Sequence, residues 1–530
     1  MEVNRNILMG VAFCGPLMMG AAKNAGTDNA DTRPNILFCV VDDVSFGHWG
    51  CYGAKWVHTP ACDYVASSGA LFTRAFTPNA KSGPSRSCIL TGLNSWQLGP
   101  AANHFAFFPE DVRSFPEVLA EHGYQVGMTG KGWFPGDPGR QNGKPRELIG
   151  KRYNRIKCNP PYPTVSNIDY SANFRLFLKK RNAEEPFFFW YGGWEAHRPY
   201  TPGSGISENR TGESVDRVPG IYPDCATVRT DMCDYAFEIE YFDSHLSRMI
   251  AMLDDEGILD NTIIVVTSDN GMSFPRIKGQ CYYDSHHMPL VIMWPGRIEP
   301  GIVIDSFVSF TDFAPTILDA ARIRPEESGM KPFEGKSLLN LLKNTDDDPR
   351  PFMCIGKERH DIGRPGDAGY PIRGIITEKW LYLVNYEPSR DPAGNSETGY
   401  LNYDASPTKT LLLGRKNRYY RLSFGKRPAE ELYDIVSDPD CIDNLARKRF
   451  TAPICDSLRS IMENKLVEDG DPRMFGRGDE FDRYEFSNPL YRNYYDRLMR
   501  NDSIPLPNWI VPSDVDWKRQ HRLRGRVHPL

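Results

Sequence analysis

Two pairs of oxygen-donor side chains stand where apolar strands end. The run from Pro34 to Val41 stops at Asp42-Asp43, and the run from Thr262 to Thr267 stops at Ser268-Asp269-Asn270-Gly271. In open α/β sheets, ligands bind beyond the carboxyl ends of strands. Four hard oxygen donors converging from two such ends suit Ca²⁺, which takes about six to eight oxygens. Neither imidazole nor thiolate occupies these four positions, which disfavours zinc. Each pair also reads as a plain turn or helix cap, and Asn-Gly favours turns strongly. Cations follow other strand ends: Lys131 after Met128-Thr129-Gly130, His197 after Phe187 to Tyr191, and Lys278 beyond Asp269. With Arg86 they would offset a dianionic transition state, and His197 is a side-chain type that exchanges protons near neutral pH. Between the acid pairs lies Ser82-Gly83-Pro84-Ser85-Arg86. Read locally it is a turn leading into a helix, with Arg86 one helical turn beyond Ser82 so that both face one site.

These side chains need a sheet to hold them. Pro34–Val41, 124–129, Pro186–Tyr191, 262–267 and 289–294 read as buried strands. Ser114–His122, Asp234–Glu256 and Phe313–Ala321 read as helices. Strands alternating with helices predict an α/β domain with a largely parallel sheet. After about residue 350 the texture changes: 370–377, 380–384 and 431–435 predict short antiparallel strands, and 453–466 a helix. The division expected is a catalytic domain over 34–350 and a smaller α+β subdomain over 351–530, whose aromatic, charged tail wraps the surface.

The chain has 530 residues and a net charge of −5. That length allows more than one core, and that charge gives no basic footprint for nucleic acid. The start is distinct: Arg5, an apolar stretch to Ala22 and a polar segment after it form a secretory signal layout, expected over 1–22 with a linker over 23–33. No interior run is long and apolar enough to span a membrane. Twelve cysteines, scattered, outline neither a disulfide framework nor a zinc site. Removal of Cys14 with the signal leaves an odd number. Cys51 with Cys62 and Cys225 with Cys233 are the pairs an oxidising compartment would allow.

The Ser82-Gly83-Pro84-Ser85-Arg86 string resembles the maturation signature of type I sulfatases, in which a Cys or Ser before Pro-Ser-Arg is oxidised to formylglycine. The likeness extends from Pro34 to Ala446, through Asp42-Asp43, Asp269-Asn270-Gly271 and Glu431-Leu432-Tyr433-Asp434 with Asp438-Pro439. It implies the alkaline-phosphatase-like fold: a large mixed sheet flanked by helices, with a smaller C-terminal antiparallel sheet. By the same resemblance Asp42, Asp43, Asp269, Asn270 and modified Ser82 would hold Ca²⁺. Arg86 would support the aldehyde hydrate that attacks sulfur. Lys131, His197 and Lys278 would contact sulfate, with His197 protonating the leaving atom. Asn103-His104-Phe105, Trp194 to Pro199, Asp269 to Pro275 and Glu358 to Asp361 resemble heparan N-sulfatases. Asn103, His104, Glu195, Arg198, Arg359, His360 and Asp361 are therefore the sugar-binding candidates, with loop-stabilising salt bridges as their other reading.

One position departs from the family. Where these enzymes commonly carry Lys-x-His, this chain has Lys131-Gly132-Trp133, and an indole cannot shuttle a proton. The base role would fall to Lys131, His104 or another histidine; His286-His287 is expected to be a surface pair. A Ser-type site further implies an anaerobic radical maturase, a bacterial host and a periplasmic address. The functions carried forward are an N-sulfoglucosamine sulfohydrolase, an O-sulfatase on another sulfated polysaccharide, and a catalytically silent sulfoglycan-binding protein with unmodified Ser82.

Overall fold

The computed structural model describes residues 33–500 and 504–524, apart from 208, 344 and 346–348. The signal segment expected over 1–22 lies outside the described residues. From Pro34 onward the chain forms one contact unit.

The first strand, β1 (Asn35–Val41), is buried at all seven positions. Its odd and even residues feed two different cores: Leu37, Cys39 and Val41 face one, Ile36, Phe38 and Val40 the other. This is why its sequence is apolar throughout rather than alternating. Eight further strands join it: β2 (Ala70–Phe76), β3 (Gln125–Gly130), β4 (Lys151–Arg152), β5 (Phe187–Gly192), β6 (Thr262–Ser268), β7 (His287–Met293), β8 (Ile302–Ile304) and β9 (Val308–Ser309). The order is β8-β2-β7-β6-β1-β5-β3-β4, with β9 also on β2. The block β6-β1-β5-β3-β4 is parallel. Strand β7 runs antiparallel to both β6 and β2, which makes the sheet mixed.

Helices cover both faces. α1 (Pro60–Ser67), α4 (Tyr170–Lys180) and α5 (Ala226–Asp255) pack on the Leu37 side, and α2 (Ser82–Thr91), α3 (Phe115–Glu121) and α6 (Phe313–Ala320) on the Phe38 side. Helix α3 begins at a capping box made by Ser114 and Glu117. Helix α5 starts at Ala226, two turns before the expected Asp234, because Val228, Met232 and Cys233 continue its buried stripe. Strand β2 has no counterpart in the sequence reading. Three of its residues are half-buried, so it lacks the continuous apolar run that marks the central strands.

A four-stranded antiparallel sheet follows, ordered β10 (Met353–Lys357), β11 (Ile372–Ile376), β12 (Trp380–Asn385) and β13 (Glu430–Asp434). Helix α7 (Pro407–Leu413) lies between β12 and β13 in sequence, and helix α8 (Ala452–Glu468) covers one face of the sheet through Leu458, Met462 and Leu466. The segment after it buries Phe486, Tyr494, Leu498 and Val515 in a small core with Ile362 and Leu401. No described helix is long and apolar enough to cross a membrane. All eleven described cysteines are free thiols.

Candidate active site

The carboxyl ends of β1, β6, β3 and β5 converge on the head of α2. Asp43 adopts a left-handed backbone conformation (φ 59°), which an Asp tolerates better than most residues. Its amide N–H donates to Asp269 Oδ1 at 3.1 Å, and Asn270 Nδ2 donates to Asp43 Oδ1 at 2.8 Å. Each of Asp42, Asp43 and Asp269 offers an oxygen within 4.8 Å of the others, and all three residues are fully buried. Oxygens bound to one ion at about 2.3–2.6 Å can lie no more than about 5 Å apart. The all-oxygen donor set and its spacing therefore fit a hard divalent cation.

Ser82 is the first residue of α2. Its hydroxyl donates to Asp42 Oδ1 at 3.2 Å and to Asn270 Oδ1 at 3.5 Å, and it accepts from Lys131 Nζ at 3.1 Å. Lys131 also pairs with Asp42 Oδ2. Arg86 sits one turn along α2: Nε donates to Asp269 Oδ2 at 2.9 Å, Nη1 to the carbonyls of Lys131 and Gly132 at 3.0 and 3.1 Å. The bend that delivers Lys131 requires glycines. A Cβ on Gly130 (φ 77°) would lie 1.9 Å from the Gly192 carbonyl oxygen, and one on Gly192 would lie 1.8 Å from that of Lys131.

Charge balance sets the protonation states. Burial acts to raise the Asp42 carboxyl, but Lys131 and Arg86 outweigh it and hold it below its ordinary value. Burial, then Asp42, raises Asp269. Lys278 Nζ bridges Asp43 Oδ2 (2.7 Å) and Asp404 Oδ2 (2.8 Å). Burial lowers that ammonium, yet the two carboxylates leave its pKa above the usual lysine range. His197 is half-buried, with a ring nitrogen within 4.8 Å of oxygens of Asp43 and Asp404. Its Nδ1 lies 2.6 Å from the Arg198 carbonyl. A carbonyl only accepts, so Nδ1 carries hydrogen and Nε2 is left to serve the site.

The sugar-binding candidates divide. Asn103 accepts from the Arg359 N–H (2.9 Å) and donates to the Phe481 carbonyl (2.8 Å). Arg198 makes a two-pronged pair with Asp231 at 2.8 and 2.9 Å. Asp361 pairs with Arg364 at 2.6 Å, and Glu195 accepts from Ser166 N–H and Tyr170 O–H, both at 2.9 Å. These four hold loops. His104 and His360 differ: both are buried, yet His104 Nδ1 and His360 Nε2 have no hydrogen-bond partner. Burial, reinforced by lysines including Lys81, keeps both imidazoles neutral. Arg359 Nε and Nη2 are likewise unpartnered. His104 Cδ2 lies 3.5 Å from where a Cβ of Gly83 would be, which places His104 beside the head of α2.

Trp133 is buried in the sheet's second core; its Nε1 donates to Ser87 Oγ at 2.8 Å and its ring meets Phe108 edge-on. It braces α2 from behind. His286 and His287 are buried, not a surface pair, because β7 is an internal strand; they bond the carbonyls of Thr77 and Thr73 at 2.7 and 2.8 Å. Sequence reasoning missed Asp404, Lys81 and Glu238. Asp404 has no local signature. Lys81, whose ammonium burial and Lys278 lower to about 8, directly precedes Ser82. Glu238 is an acid on the buried stripe of α5, a signal that was legible.

The sulfatase family model matches residues 34–323. The chain is 26% identical over 491 residues to an ulvan-active sulfatase of Formosa agariphila, covering 89% of this chain and 88% of that protein. It is 27% identical over 494 residues to human N-sulphoglucosamine sulphohydrolase, covering 83% and 91%. Among solved structures, one in complex with its substrate D-glucosamine-2-N,6-O-disulfate superposes with a TM-score of 0.60 at 22% identity, over 83% of this chain and 99% of that one, and so shares the fold. The matched segment runs from β1 through the Asp269 loop to α6, and the chain belongs to the sulfatase family, as a sulfuric ester hydrolase.

Proposed function

We propose that the protein removes sulfate from sulfated glycans with a formylglycine made from Ser82, and that its preferred substrates carry N-sulfoglucosamine, as in heparan fragments. The observation that carries this reading is the placement of Ser82 Oγ between Asp42, Asn270 and Lys131. Bound Ca²⁺ and the aldehyde hydrate would together supply a nucleophilic oxygen for sulfur. Asp42, Asp43, Asp269 and Asn270 would hold the ion. Arg86 fixes the head of α2 against Asp269. Lys131 and Lys278 take up charge on the sulfuryl oxygens, and His197 Nε2 delivers a proton to the departing nitrogen or oxygen. Trp133 stands where the family's second histidine is common, so the neutral His104 beside Gly83 is the base that replaces it. His104, His360 and Arg359 supply unpartnered nitrogens for the saccharide. A carbohydrate O-sulfatase is the second reading, supported by a likeness to the ulvan-active enzyme comparable to that to the human one, at 26% against 27% identity. A signal peptide over 1–22, a periplasmic address, an anaerobic maturase and a domain boundary near 350 complete the proposal.

The test is sulfate release by protein co-expressed with an anaerobic maturase, with calcium present. N-sulfoglucosamine and 6-O-sulfo-N-acetylglucosamine are the substrates. Release from the first alone supports the N-sulfatase reading. Release from the second alone overturns it in favour of the O-sulfatase. No release from either, with the aldehyde verified by mass, refutes the N-sulfatase assignment and points to a different glycan or a site disabled by Trp133.

A further inference from the structure

Next to His197 lies a cavity of about 310 Å³ lined by Thr164, Ser166, Asn167, Trp194, Glu195, His197, Arg198 and Glu238. Its size is at the lower end of ligand pockets, about 300–1,000 Å³, so it suits one sugar ring rather than several. Trp194 forms part of its mouth: the ring lies 5.7 Å from Lys131 Nζ and edge-on to Phe134, which is 46% exposed. Trp194 thus stands between the cavity and Lys131. Most polar groups around it are spoken for, Glu195 by Ser166 and Tyr170, Arg198 by Asp231. Among its buried side chains Glu238 is the exception. It is 1% exposed, it reaches the cavity from α5, and its Oε1 has no hydrogen-bond partner. A buried polar atom without a partner costs free energy, so an arrangement of this kind is completed by a ligand.

We infer that this cavity is the subsite for an uncharged part of the substrate's sugar ring, and that Glu238 is its specificity-determining residue. This rests on the proposed glycan reading of the same site. Sugar hydroxyls can bond the Glu238 carboxyl, and the face of Trp194 can carry the ring's C–H surface. Burial, with Glu195 and Asp234 nearby, raises the Glu238 carboxyl to about 9. At neutral pH it therefore keeps its proton and both donates and accepts. Protonated Glu238 offers no countercharge to a carboxylate or second sulfate, and Arg198 is already paired with Asp231, so an anion buried here would go uncompensated. The subsite selects a neutral ring face, while the basic nitrogens of His104, His360 and Arg359 lie outside its lining.

The subsite can be probed without the aldehyde, by calorimetry or saturation-transfer NMR on the unmatured Ser82 protein. The probes are N-acetylglucosamine and glucuronate. The expected result is that N-acetylglucosamine binds and glucuronate binds at least about tenfold more weakly. Glu238→Ala should weaken N-acetylglucosamine about three- to tenfold, the worth of one hydrogen bond. Glu238→Gln, which keeps a donor and an acceptor, should stay within about twofold. Thr164→Ala, at a half-buried position of the lining outside α5, is a second variant that spares the helix. Equal binding of the two sugars, or affinity unchanged in folded Glu238→Ala and Thr164→Ala proteins, would overturn the inference. Glu238-dependent sugar binding by a protein that, once matured, releases no sulfate would sink the proposed catalytic reading and leave this subsite standing.

Discussion

Replacing Asp231 by Ala isolates what Arg198 does. Both side chains are almost fully buried, at 3% and 1% exposure, and meet through two parallel hydrogen bonds. The guanidinium also donates to the Ser273 carbonyl at 2.8 Å and lies over the rings of Tyr200 and Phe274 at 4.3 and 4.5 Å. Asp231 further accepts from Thr408 Oγ1 at 2.6 Å, at the start of α7. One carboxylate thus ties α5, α7 and the loop that carries His197. Asp231→Ala strands a buried cation, and breaking such a pair costs about 3–5 kcal/mol. Replacing both partners with apolar residues of similar size, as in Arg198→Met with Asp231→Leu, should recover most of that loss, to within about 1–2 kcal/mol of wild type. Urea denaturation of the two single variants and the double variant measures the coupling. Because the pair is buried, the loss should change little between low and high salt. A loss under about 1 kcal/mol for Asp231→Ala would refute the strut and return Arg198 to the substrate-binding candidates.

Asp43→Asn removes one oxygen charge from the carboxylate trio, so calcium should no longer raise the melting temperature. In wild type, calcium at a hundredfold excess over its Kd should add about 2.7 kcal/mol, read by scanning calorimetry with and without chelator. For Glu238 the folded state binds its proton more tightly than the unfolded chain. That stability is present below the ordinary carboxyl value of 4.5 and is lost as pH rises toward about 9. Glu238→Gln should therefore gain on wild type by up to about 1.4 kcal/mol per pH unit across that window; denaturation curves that stay parallel from pH 5 to 8 would contradict it. Trp133→Ala should cost about 3–5 kcal/mol, since it removes a buried indole and its bond to Ser87, and the urea midpoint would show it.

The chemistry of this protein was legible wherever one short segment holds both the donor and the element that aims it. Asp42-Asp43 and Asp269-Asn270 follow strands buried on both faces, and such strands must be apolar until the sheet ends. Ser82 and Arg86 share one helical turn, so their common facing follows from helix geometry. Other features depend on where distant segments meet. Lys278 pairs with Asp404 across 126 positions and Arg198 with Asp231 across 33, and neither pairing leaves a local trace, because ion pairs follow topology rather than spacing. The same reason misplaced His286 and His287: two adjacent polar rings look exposed until β7 is found inside the sheet, bonding its neighbours' carbonyls. The sequence by itself determined the oxygen-donor set, the Ser82 helix head and the family. Only the tertiary structure decided which cation neutralises which acid, that Asn103 and Arg198 brace loops while His104 and His360 keep buried, unpartnered nitrogens, and that Glu238 lines a cavity. Those outcomes depend on burial and long-range contact, which no window of the chain contains.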